Sequence, residues 1–125
     1  MKKIVLNLQI VQQPANSPDL NVLDLGYFTA IQSLQHQASP QNIDELISEV
    51  YVSFECLHWS KLNDIFLTLQ KVMEICIIHD GMNNYKIPHM SKRKLEALGE
   101  LPMSIKVRKA LQSKLKELKS KKILK

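Results

Sequence analysis

Two aspartates, Asp19 and Asp24, sit five residues apart in QQPANSPDLNVLDLGYF, residues 12–28, between a hydrophobic run and the start of a helical pattern. Acids in a first helical turn are favoured by the helix dipole alone. A carboxylate on a helix that leaves the end of a strand has a second use, because it can face a metal ion at the sheet's edge. Metal-assisted phosphoryl transfer needs such acids, and more than one. Two divalent ions about 3.5–4 Å apart activate the attacking water and stabilise the leaving oxygen, and hard ions such as Mg²⁺ are held by oxygen ligands.

Other reactive residue types are sparser. Cys76 and His79 have a Cys-x-x-His spacing, but no second pair lies near enough to complete a four-ligand zinc site. A cysteine on a helix face beside a histidine at the helix end is the simpler reading. His36, His58 and His89 are isolated in the sequence and read as surface or loop residues. Cys56 and Cys76 make no disulfide framework and read as reduced thiols in an intracellular protein. No Gly-rich phosphate loop, nucleophile elbow or Cys–His dyad is present.

Charge is the strongest compositional signal. The chain of 125 residues carries a net charge of +5. Residues 105–125 hold nine bases (Lys106, Arg108, Lys109, Lys114, Lys116, Lys119, Lys121, Lys122 and Lys125) against one acid, Glu117. The other 104 residues hold eight bases and eleven acids, a net of −3. A basic tail of this kind attracts nucleic-acid phosphates without regard to sequence. It is also the ordinary composition of a solvated helix, and no aromatic residue interleaves it to stack on bases.

The elements that must position these residues follow from periodicity. Residues 3–11, KIVLNLQIV, place Ile4, Leu6, Leu8 and Ile10 on one face and read as a strand buried on much of both sides. The polar interruptions Asn7 and Gln9, and the lack of a small-residue cleavage pattern, suit a strand better than a signal peptide. QQPANSPD breaks the strand. A helix follows, capped either by Ser17 before Pro18 or by Asn21, with Leu20, Leu23, Tyr27, Ile31 and Leu34 as its stripe. Ser39–Pro40 opens a second helix with Ile43, Leu46, Ile47, Val50 and Phe54 on its apolar face. Ser60 opens a third, with Leu62, Ile65, Phe66, Leu69, Val72, Met73 and Cys76 inward, stopping before Gly81. Trp59 and Phe54 read as core at the helix junction. Ser91 caps a short helix that ends at Gly99, and a last helix runs from Ser104 into the basic tail. No run of 18 apolar residues exists to span a membrane. The fold class is therefore mainly α with one N-terminal β-strand. A lone strand cannot satisfy its own backbone groups, so the pattern reads as the back end of an α/β domain.

These segments resemble one family in order. QQPANSPDLNVLDLGYFTAIQSLQ, SPQNIDELISEV, LNDIFLTLQKVMEICI and NNYKIPHMSKRKLEALGELP are together similar to the end of the catalytic domain of mariner-like DNA transposases of the plant-type branch. The resemblance covers roughly residues 8–103. It implies the C-terminal part of a ribonuclease-H-like α/β catalytic domain over residues 1–104, with 105–125 as a basic helical tail. It further implies Asp24 as the catalytic, metal-binding third acid of a three-aspartate site, with Asp19 shaping the S-P-D turn. Mg²⁺ or Mn²⁺ is the cofactor in the intact family, DNA the partner, and the nucleus the place of action. The chain departs from the pattern at Pro14–Ala15, Tyr27, Met82 and Ser91. No counterpart of the first two acids, nor of the helix-turn-helix that reads transposon ends, lies upstream of Lys3. The expectation is a truncated or decayed transposase piece that is inactive alone, self-associates through its unpaired strand, and contacts DNA non-specifically through Lys106, Arg108, Lys109, Lys114, Lys116, Lys119, Lys121 and Lys122.

Overall fold

The computed structural model describes residues 7–123. The protein is mainly α, with five α-helices among the described residues: α1 (Phe28–Ala38), α2 (Ile43–Cys56), α3 (Trp59–Ile78), α4 (Lys92–Ala97) and α5 (Lys109–Ile123). A 3-10 turn over Pro18–Leu20 and a π turn over Leu23–Tyr27 lead into α1. The order and number of helices follow the sequence expectation.

The expected N-terminal strand is the main correction. Residues 7–11 form no strand, and Leu8, Ile10 and Val11 are 82%, 101% and 76% exposed. Residues 3–6 of that expectation lie outside the described residues. The physical reason is the one anticipated: a strand needs a ladder partner, and none exists among the described residues. The ribonuclease-H-like sheet has no counterpart there either.

Local chemistry explains most helix ends. Asn21 is the cap used at the first helix: its Oδ1 accepts from the Leu23 N–H at 3.0 Å, and its carbonyl accepts from the Leu25 N–H at 2.8 Å. Ser17 makes no capping bond. The second helix starts later than Ser39–Pro40 implies, because Asn42 is the better cap. Asn42 Oδ1 accepts from the Glu45 N–H at 2.9 Å, and the Glu45 carboxylate accepts from the Gln41 N–H at 2.7 Å. The third helix is capped by His58, not Ser60. The last begins at Lys109, not Ser104. Gly81 (φ +83°) and Gly99 (φ +68°) follow α3 and α4 in the left-handed region that glycine adopts without a Cβ penalty.

Helix α3 is the spine. The 3-10 turn, the π turn and α5 pack against it, while α2 packs on α1. Ile65, Leu67 and Val72 of α3 join Ala30 and Ile31 of α1 and Leu111 of α5 in the buried core. Covering α3 from two sides buries Leu67, which lies off the expected stripe, and leaves Phe66 and Met73 partly in solvent at 46% and 45%. At Gly26, in the π turn, an added Cβ would lie 3.1 Å from Ile65 Cγ1, so the missing side chain permits this close approach.

Helix α2 contradicts its expected role. Its apolar stripe faces solvent, with Ile43 74%, Ile47 51% and Phe54 59% exposed, and Ser53 is its only buried residue. Trp59, expected in the core, is 64% exposed. Nothing among the described residues packs over that face.

Candidate functional site

Asp24 lies in the first turn of the helical segment that continues into α1, as the sequence implied, and its side chain is exposed. It stands alone. No three His, Cys, Asp or Glu side chains are grouped to hold a metal ion among the described residues. One carboxylate cannot fix two ions in the geometry of an in-line displacement. Asp19 sits in the 3-10 turn, half-buried, as a turn residue. Cys76 is half-buried and Cys56 exposed, and both are free thiols.

The basic tail is docked, and the manner of docking divides its charges into two sets. Glu74 on α3 is 5% exposed and accepts two bonds from Arg108, Nε to Oε1 at 2.8 Å and Nη2 to Oε2 at 3.0 Å. Lys71 adds a third at 3.0 Å. This fork, opposed by burial and aided by Lys71, holds the Glu74 carboxyl down to about 2. The Ile105 N–H donates to Gln70 Oε1 at 2.7 Å. Lys114 donates to the Ile78 carbonyl at 2.7 Å and pairs with Asp80 at 2.9 Å, so the Asp80 carboxyl also lies below its ordinary range. Lys121 pairs with Glu117 one turn back at 2.8 Å.

Three of the eight expected phosphate contacts, Arg108, Lys114 and Lys121, are therefore engaged with acids. Lys106, Lys109, Lys116, Lys119 and Lys122 are exposed and make no ion pair among the described residues. Composition could not make this division, because the acids that claim Arg108 and Lys114 lie 34 residues away in sequence.

A cleft lies beside Asp24, not at it. Leu25 and Gly26 form part of one wall, and α3 and the segment entering α4 complete a space of about 860 Å³. Sequence reasoning set aside two residues that line it, His58 and His89, as isolated.

No protein family, curated protein or solved structure matches this chain.

Proposed function

We propose that this chain is the last part of a mariner-like transposase catalytic domain, of ribonuclease-H-like ancestry, in which Asp24 is the surviving third acid. On this reading it does not cut or join DNA by itself. Four motifs in the family's order support the ancestry, together with an acid in the first helical turn after the S-P-D turn. Mg²⁺ or Mn²⁺ in the intact family is held by three acids, whereas no three His, Cys, Asp or Glu side chains are grouped to hold a metal ion among the described residues, which fits a chain without activity of its own. Two further acidic motifs encoded upstream of Met1 in genomic DNA, intact or broken, are expected. Their absence, together with absence of flanking inverted repeats, would remove the ancestry.

The activity that remains on this reading is non-specific nucleic-acid binding in the nucleus. The observation that carries it is the set of five unpaired lysines, Lys106, Lys109, Lys116, Lys119 and Lys122, on a segment anchored by Arg108 to a buried carboxylate. None sits on an element arranged to read base edges, so binding is indifferent to sequence. If about three to five reach phosphates, the log-log salt slope is roughly −3 to −4.5. A titration of labelled duplex DNA across a range of salt measures it. Substituting the five lysines by glutamine removes the binding if the reading holds. Unchanged affinity in that variant would sink it.

A further inference from the structure

The 860 Å³ cleft has a composition that neither Asp24 nor α5 explains. Its apolar wall is made by Leu25, Ala30, Leu34 and Ile65. Its polar side carries Lys61, Lys92, Arg93 and Lys94 against a single acid, Asp64. These cations come from two segments, α3 and α4, which the fold brings to one rim.

Two histidines add donors of a defined kind. His58 Nδ1 accepts from the Ser60 N–H at 3.2 Å, and His89 Nδ1 accepts from the Ser91 N–H at 3.1 Å. The arrangement is the same in both, ring to backbone two residues on, in segments thirty-one residues apart. With Nδ1 used as acceptor, the neutral ring carries its hydrogen on Nε2, so both rings can donate there. Of these cations, Lys92 is already engaged: its Nζ donates to the Asp64 carbonyl at 2.7 Å and to Thr68 Oγ1. That commits two of its three ammonium hydrogens. Burial pushes the Lys92 ammonium below the ordinary lysine range, with Asp64 opposing. Asp64 Oδ1 is buried and accepts no hydrogen bond among the described residues.

We infer that this cleft binds a nucleotide, its phosphate on the rim formed by Arg93, Lys94 and Lys61 and its base against the apolar wall. A bare phosphate would leave the wall uncovered, and an apolar ligand would leave the cations unmatched. The volume lies within the roughly 300–1,000 Å³ of small-molecule sites. The nucleotide is either free or part of a single strand; the chemistry of recognition is shared. The site does not depend on the lysines of α5.

The test uses the full chain with adenosine monophosphate as probe, read by calorimetry and by amide shifts at Gly26, Ser60 and Ser91. Arg93→Ala with Lys94→Ala changes two exposed rim residues and is expected to weaken binding by about tenfold or more, the scale of one charge-assisted contact. Lys61→Gln, on another helix, gives a second rim variant should α4 lose its helical signal. Replacing Lys109, Lys116 and Lys119 by glutamine is expected to leave adenosine monophosphate binding unchanged. No binding up to about 1 mM nucleotide, or binding that the rim variants do not weaken, overturns the site. So does binding lost only with the α5 lysines, which would leave the duplex-binding reading standing. A short single-stranded oligonucleotide distinguishes the two sources. If it binds, is displaced by adenosine monophosphate and is weakened by the rim variants, the nucleotide comes from a strand. If only the free nucleotide binds, the cleft serves a small molecule.

Discussion

At the scale of single residues, Glu74 is a charged group almost withdrawn from water. Its carboxylate is 5% exposed and held by Arg108 and Lys71. Its folded pKa, about 2, lies below its ordinary 4.5. A depressed carboxyl contributes stability that is fully present above the unfolded value and is lost as pH falls through the folded one. The window is therefore pH 4.5 down to about 2. Because Arg108 is 59% exposed and partly screened, the contribution at neutral pH is discounted to roughly 1–3 kcal/mol. Glu74→Gln keeps the shape and removes the charge. It is expected to lower the urea midpoint at pH 7 and to flatten the fall in stability between pH 4.5 and 3. An acid profile identical to that of the unaltered protein would show that the pair contributes nothing.

At the scale of elements, the caps carry the clearest expectation. Asn42 and Glu45 exchange bonds with the first turn of α2 in a capping box. Asn42→Ala is expected to cost about 1 kcal/mol, seen as a lower denaturation midpoint at unchanged slope. The helices were legible because their signals are local: glycines at 81 and 99, a Pro at 18, and apolar spacing of three and four. The Asn42–Glu45 spacing is a local signal too, and a stronger cap than Ser39–Pro40. What periodicity cannot say is which element covers a stripe. α2 has a good apolar face and packs little of it, whereas α3 is covered from two sides and buries Leu67 off its stripe. Likewise, Lys92, Arg93 and Lys94 are neighbours in sequence. Their meeting with His58 and Lys61 is tertiary and leaves no trace in spacing.

At the scale of the whole molecule, surface is the telling quantity. The chain exposes 10692 Å² at 14.4 kDa. A compact monomer of that mass exposes about 6,800 Å², so roughly a third of this surface is excess. Much of it is apolar: Ile43, Ile47, Tyr51 and Phe54 follow one another along one face of α2, and Leu8, Ile10 and Val11 stand in solvent. Contiguous apolar surface of this kind binds hydrophobic dyes and promotes association. The protein is expected to enhance anilinonaphthalene sulfonate fluorescence at neutral pH and to sediment in a concentration-dependent way. Ile47→Glu with Tyr51→Glu should suppress both. If dye binding survives that pair while a deletion of residues 1–11 abolishes it, the sticky surface is the N-terminal segment.

The anchors of α5 also set the order in which a protease would find it. Among the described residues its attachments, from Ile105 on Gln70 through Arg108 and Leu111 to Lys114 on Ile78 and Asp80, lie just before α5 or in its first half. Beyond Lys114, among the described residues, only Leu115 is half-covered, and Lys116, Lys119, Lys121 and Lys122 stand exposed. Cleavage needs several residues of helix to open, and opening is cheapest where few contacts resist it. Limited trypsin digestion should therefore shave the chain from its C-terminal end, with cuts after Lys116 and Lys119 preceding any after Arg108 or Lys114. Mass spectrometry of early time points reads the order directly. The shortened protein would keep its buried Glu74–Arg108 fork and its helical spectrum, while having shed Lys119 and Lys122, two of the five lysines proposed to contact phosphate.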